Sequence, residues 1–387
     1  MAAHIALGHD DPRGLLVDAS GRIVVTHFTA GVLSVVDVAH GNEARAVDMH
    51  LPSKAFFFPN QMESATLSVD GAEIAVPHVE CNNDPAQFGA GGTPLIGAPP
   101  PTVTYYLSGP TGYPAVVPAI SHVDPDAGLT SDERRTFEEA SGQTPEEAGA
   151  AAPVLNPLDR NLLGQENLNG PTEIAWVDDG NLELVVARGS GNVFVRRPVI
   201  RAGESSIVSA VRLDVGAEAI QISPDGNTAY VYNAFDDTIA SFPVPHASDA
   251  TSKFARASQD DGNAGVTDPS TGLPERLLHG IDPTTHCSVA APALPKDVRA
   301  GRVLFYAADD RLTHEGAIAC QSCHPNGAAD GTTWHFQEGP RNSPALWGGV
   351  TQTAPFHWDA SVPDMAAISD KTIVGRMGGA GLDGAHM

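Results

Sequence analysis

Two cysteines and a histidine stand together at Cys320, Cys323 and His324, within the stretch Ile318–Gly327, IACQSCHPNG. Residues three apart share one side of a helical turn, so both thiols face the same way. That spacing suits addition of the two thiols to the two vinyl groups of one haem, with the adjoining imidazole as axial iron ligand. Two other chemistries use paired cysteines. Structural zinc takes four ligands, usually from two separated pairs. The chain has four cysteines, and the other two, Cys81 and Cys287, stand alone, although His286 adjoins Cys287. A thiol–disulfide exchange pair belongs to a βαβ context, which the neighbouring sequence lacks. Covalent haem c is the leading reading, with metal or redox thiols behind it.

The elements that must position this corner differ along the chain. Just upstream, LPKDVRAGRVLFYAADDRL has helical spacing at Val298, Val303, Leu304 and Ala307. A mostly α-helical domain is placed at 283–387. Everything before it reads as β structure. Four segments share one grammar: Asp11–Val38, Glu63–His78, Gly170–Arg197 and Gly216–Val244. Each has a short alternating strand, an Asp/Gly turn and a β-branched strand, and three of the four add a second turn and a third strand. Period-two alternation between Gly-bearing turns is the hairpin signal. Its recurrence marks propeller blades.

These repeats resemble the YVTN type of β-propeller, most closely in ISPDGNTAYVYNAFDDTIASF. The fold class is mainly β: an incomplete YVTN-like β-propeller over 1–247, a polar linker over 248–282, then the c-type cytochrome domain. Two long insertions begin at Cys81 and Leu129. The second is read as holding a short acidic helix capped by Thr130 or Ser131.

The C-terminal part resembles the haem domain of the di-haem cytochrome c peroxidase family. The shared elements are the LFY…D.RL lead-in, the CxxCH, GPRNSPAL and FHWD. YVTN-type propellers are found fused to such domains. The resemblance implies a haem bound by Cys320, Cys323 and His324. It makes His335 the candidate distal iron ligand, although it falls one residue closer to Gly339 than in the family. His357 and Met377 are the other candidate sixth ligands, and an open position is the further alternative. Trp358 matches a tryptophan assisting electron transfer between two haems, with core packing as the bland alternative. Asn342 matches a calcium ligand, and its amide oxygen suits a hard cation. Arg341 is a candidate partner for a haem propionate, or for an acid of this acidic chain. Arg376 stands where the family has a glutamate before a methionine. An arginine takes no proton from peroxide, though it stabilises a departing oxygen electrostatically. His335, Trp358 and Arg376 are the catalytic candidates. The CxxCH occurs once, so a second haem c requires a longer chain.

The formal net charge is −25. Such a surface repels nucleic acid and attracts cationic partners, among them small basic redox proteins acting as electron donor or acceptor. No apolar run reaches the roughly 20 residues needed to span a bilayer. Covalent haem implies an exported, oxidising compartment, the periplasm, where the remaining thiols tend to pair. A Cys81–Cys287 disulfide is one reading on that ground, with two free thiols as the other. The N-terminus reads like the middle of a repeat and the C-terminus lacks a cap, as in a fragment cut at both ends. The functional expectation is a peroxidase-like haem oxidoreductase with the propeller as docking platform. The alternatives are a non-catalytic electron-transfer or sensing cytochrome, and a propeller scaffold whose haem is only structural.

Overall fold

The computed structural model describes residues 4–41, 43–50, 57–82, 116–126, 128–129, 169–198, 207–246, 283–288, 294–309, 311–313, 318–336 and 339–382. The predicted acidic helix after Leu129 and the predicted linker over 248–282 lie outside these residues. By its internal contacts the chain divides into two compact units.

The first unit comprises Met1–Ala55, Pro59–Val79 and Pro118–Lys296. Its strands form successive antiparallel sheets. β1 (Pro12–Val17), β2 (Ile23–His27), β3 (Val32–Asp37) and β4 (Glu43–Asp48) pair in chain order. In the next sheet β5 (Phe57–Asn60), β7 (Ile74–Asn82), β8 (Val116–Asp124) and β9 (Gly128–Leu129) run in that order, with β6 (Thr66–Leu67) paired to β7. β10 (Pro171–Val177), β11 (Leu182–Ala187), β12 (Asn192–Arg196) and β13 (Ile207–Arg212) make a third sheet. β14 (Ala217–Ile222), β15 (Thr228–Asn233), β16 (Thr238–Pro243) and β17 (Thr284–Ser288) make a fourth.

Local chemistry explains the meander. In two repeats the turn is Ser-x-Asp-Gly. The Ser68 hydroxyl donates to Asp70 at 2.7 Å and accepts from the Glu73 amide at 3.0 Å. Ser223 repeats this with Asp225 at 2.5 Å and Thr228 at 2.9 Å. Gly71 and Gly226 take φ of 74° and 75°, a conformation glycine adopts without steric cost. In the first repeat Asp18 Oδ1 alone accepts from the Ser20 and Arg22 amides, each at 2.9 Å.

β10, the first strand of the third sheet, packs against β6 of the second and against β14, the first strand of the fourth. Ser64 Oγ donates to Thr172 O at 2.6 Å, and Thr172 Oγ1 donates to Glu218 O at 2.9 Å. The buried Arg188 guanidinium joins Glu63 and Glu218. Apolar side chains fill the space between sheets, as where Val177, Leu184 and Val186 meet Ile220, Val231 and Phe242. Four-stranded sheets with adjacent innermost strands are propeller blades.

Two features depart from the sequence reading. The fourth strands β4, β13 and β17 were not among the expected elements. β4 reads EARAVD and is exposed at all positions but Val47, so it carries little alternation to detect. A domain start at 283 also falls inside the fourth sheet, because Thr284–Ser288 pairs with β16. Its β-branched start suits a strand that covers an open edge.

The second unit comprises Phe56–Phe58, Glu80–Val117 and Asp297–Met387. Among the described residues its long helix is α1 (Lys296–Tyr306), followed by α2 (Cys320–Cys323) and α3 (Ala366–Ile368). α3 continues into a π-helical turn over Ser369–Val374. A hairpin joins β18 (Thr333–Phe336) to β19 (Gly339–Asn342). The helical character expected here resides in these segments, and turns occupy the rest. Among the described residues no helix is long and apolar enough to cross a membrane.

Candidate haem site

α2 is a single turn that carries both cysteines of the CxxCH. The Ala319 amide donates to Ser322 Oγ at 3.0 Å and the His324 amide to Cys320 O at 3.0 Å. The chain then reverses through Asn326, at φ 53°, and Gly327, at φ 76°. A side chain at 327 would meet the Trp347 indole at 2.8 Å, so glycine is required there for space as well as for conformation. The turn is pinned from three sides. Tyr306 OH of α1 donates to Asn326 Oδ1 at 2.8 Å, Trp347 Nε1 to Asn326 O at 2.9 Å, and the Leu346 amide to Gly327 O at 2.7 Å.

His324 is oriented by the segment after β19. Its Nδ1 donates to Pro344 O at 2.9 Å. That bond fixes the tautomer and leaves Nε2 with its lone pair, the arrangement of a metal-ligating imidazole. Burial holds His324 below the ordinary histidine pKa, against the opposing effect of the Pro344 hydrogen bond. The neutral, ligating form is thereby favoured. Burial also pushes the Cys320 thiol up to about 11 and Cys323 well above the usual range.

These three side chains line a cavity of about 620 Å³, within the roughly 300–1,000 Å³ typical of cofactor pockets. Phe305, Ile318, Leu346, Phe356 and Ile368 give it apolar walls. Arg341, Asn342, His357, Trp358, Arg376 and Met377 line it as well. A flat apolar cofactor with anionic substituents matches this set: apolar walls, two guanidinium groups, two thiols on one turn and an oriented imidazole. The residues present fit a covalently held haem c.

Each remaining candidate has a definite place. Trp358 is 62% exposed, and its Nε1 donates to Asn342 O at 3.0 Å. The Asn342 side-chain nitrogen donates to Thr333 Oγ1 at 3.1 Å. His357 sits at φ 65°, its Nε2 2.9 Å from Thr372 Oγ1 and its Nδ1 3.5 Å from Ser361 Oγ. Arg376 and Met377 leave the π-helical turn, their amides both donating to Thr372 O; such turns recur at functional sites. Arg376 helps hold the Asp359 carboxyl below its ordinary range, after hydrogen bonds from Ser361. His335 lies in β18 with its backbone opposite Pro340, and its side chain is outside the described set.

Several contributors were not foreseen. Pro344 acts through its carbonyl, Thr372 through a hydroxyl, and Asp330 through a buried carboxylate just ahead of β18. Of the two readings of Cys81, the structure has the free thiol, and it is fully buried. It belongs to the second unit, where its surroundings include Thr332, Asp330 and Cys323. Cys287 lies in β17, its backbone opposite Ile239. Among the described residues no group of three or more His, Cys, Asp or Glu is placed to hold a metal ion.

Comparison with known proteins bears mainly on this site. No curated protein matches the chain. Solved structures similar to it include hydrazine synthase from Kuenenia stuttgartiensis, at 15% identity over 60% of this chain and 58% of that one, with a TM-score of 0.36. A periplasmic gluconolactonase from Pseudomonas aeruginosa is 16% identical over 62% and 55%, with a TM-score of 0.36. The Cps50 (Swd1) β-propeller domain from Myceliophteria thermophila is 14% identical over 71% and 73%, with a TM-score of 0.29. The chain spans a little over half the length of the first two, and likeness at this level carries no argument about activity. The family model of di-haem cytochrome c peroxidase matches residues 295–376, which include the CxxCH and nearly all of the cavity lining.

Proposed function

We propose that the chain is a haem c oxidoreductase of the cytochrome c peroxidase type, with the propeller as the docking platform for a small redox protein. The observation that carries the reading is His324. Its Nδ1 is committed to Pro344 O at 2.9 Å, and the two thiols of α2 stand on the turn before it. Cys320 and Cys323 hold the haem covalently and His324 is the proximal ligand. When bound, the haem supplies a one-electron couple and an iron coordination position. Arg341 and Arg376 offer guanidinium groups to anionic haem substituents. Trp358, half in the cavity wall and half in solvent, gives a conjugated side chain on the path for an electron. His335 remains the candidate distal ligand. Asn342 keeps its Oδ1 for a calcium ion while its nitrogen is held by Thr333. Export to the periplasm follows from covalent attachment.

The second reading is a six-coordinate electron-transfer or sensing cytochrome. Met377 favours it. This thioether lines the cavity and is preceded by Arg376, where a proton-accepting carboxylate would serve peroxide cleavage.

The test is maturation in a host with cytochrome c assembly. The chain should acquire a Soret band that survives acidic acetone extraction. His324→Ala should abolish turnover of peroxide by a reduced carrier while the thioethers persist. Colourless wild-type protein would end both readings. A methionine-ligated haem unreactive to peroxide in both redox states selects the second.

A further inference from the structure

The carboxylate of Asp330 is 1% exposed. The hairpin around it supplies three donors: the Thr332 amide to Oδ1 at 2.9 Å, the Trp334 indole to Oδ2 at 2.7 Å, and the Ser343 hydroxyl to Oδ2 at 3.4 Å. Trp334 is itself 2% exposed, so this carboxylate is enclosed by its own hairpin. Two thiols are among the titratable groups near it, Cys323 from α2 and Cys81 from the end of β7. It acts electrostatically on both, raising their pKa values. Asp330 therefore lies within electrostatic range of the point where the chain grips its cofactor. No step assigned above uses it.

We infer that Asp330 is a redox-linked proton acceptor, taking up one proton from solvent when the haem takes up one electron. This rests on the haem reading above. The balance is simple. A one-electron donor, the reduced carrier or a chemical mediator, supplies the electron. The carboxylate becomes a carboxylic acid, and the positive charge lost at the iron is offset by negative charge lost at Asp330. Reduction removes the cation that stabilises the anion, and the apolar surroundings then favour the neutral acid. Burial pushes Asp330 up to about 6, with the three hydrogen bonds opposing. That places the exchange between pH 5 and 8, where a carboxylate ordinarily stays ionised. Through its charge Asp330 sets the potential at which the domain accepts an electron.

The experiment is a spectroelectrochemical titration of the haem-loaded chain from pH 5 to 8. In wild type the midpoint potential should fall with rising pH, by up to about 59 mV per unit, the one-electron equivalent of a tenfold change. Asp330→Asn keeps the shape and the acceptor for Trp334 but carries no proton, and its potential should be flat across the same range. An equal slope in wild type and variant overturns the inference, as does a flat wild type. Ser343→Ala supplies the second arm. It removes one donor to the carboxylate and should move the break in the wild-type curve to higher pH; an unmoved break also overturns the inference. Failure of wild type to acquire haem would instead sink the underlying haem reading, which separates the two.

Discussion

The buried ion pair between Glu183 and Arg196 offers the sharpest test of how the first unit is held together. The two face each other across β11 and β12 and are 0% and 1% exposed. Arg196 NH1 donates to Glu183 Oε2. His122, from β8, brings Nε2 to 3.3 Å from Glu183 Oε1 and 3.4 Å from Arg196 NH1. Its ring also packs edge-on against Trp176 at 5.7 Å. The cluster therefore ties the second sheet to the third. Arg196→Met removes one charge and leaves a carboxylate with no solvent. Stranding such a charge costs about 3–5 kcal/mol. At about 2–4 °C per kcal/mol for a unit of about 250 residues, the melting temperature should fall by about 6–20 °C. Far-UV circular dichroism follows the loss of strand. The double variant Glu183→Leu with Arg196→Met removes both charges, and it should recover most of the loss, since an apolar replacement of a buried pair is often neutral. If Arg196→Met melts within 1 °C of wild type, the charge is not isolated as described. If the double variant melts no higher than the single one, lost packing and not the stranded carboxylate is the cause.

Three further outcomes are expected. Asp330 has its pKa raised to about 6 from 3.8, so it favours the folded state fully below about pH 4 and loses that contribution as pH rises through 6. The two-unit shift corresponds to about 3 kcal/mol, and Asp330→Asn should flatten this part of a urea-denaturation profile measured from pH 4 to 8. Gly327→Ala forces a side chain into the left-handed region and against Trp347; a loss of about 1–3 kcal/mol and reduced haem attachment should follow, read by denaturation and Soret absorbance. In folded, haem-free protein Cys81 should resist iodoacetamide at pH 8 and react fully in urea, with labelling counted by mass spectrometry; rapid native labelling of Cys81 would contradict its burial.

What the sequence disclosed follows from how local each signal is. The CxxCH needs one helical turn and adjoining residues, so its geometry was readable from spacing alone. The Asp/Gly turns were readable because one side chain and one glycine determine them, as at Asp225 and Gly226. The fourth strands were not, because β4 is mostly exposed and β17 joins its sheet across a long separation in sequence. Long-range pairing also decided the fate of Cys81. Reasoning from compartment paired it with Cys287, whereas the chain buries it beside Thr332 and Cys323. Pro344 and Asp330 escaped notice for a different reason. A carbonyl has no residue signature, and a buried aspartate looks like a surface one until the hairpin closes over it.

Burial also decides among the chemistries that a cysteine pair leaves open. Thiol–disulfide exchange needs a thiolate near neutral pH, which calls for a depressed pKa and solvent access. Cys320 is instead raised to about 11, and Cys323 is raised further by Asp330 and by Cys320 itself. No nearby cation opposes this among the causes acting on either thiol. A zinc corner would require further ligands converging on the pair, and among the described residues no group of three or more His, Cys, Asp or Glu is placed to hold a metal ion. Thioether formation asks for something else: two protonated thiols, fixed on one turn beside an apolar cavity, that do not oxidise each other first. The environment that disables this pair for exchange is the one that suits it as an anchor. The same partly apolar surroundings favour neutral His324, so one physical cause, partial removal of water from a single turn, suits all three side chains to the attachments proposed for them.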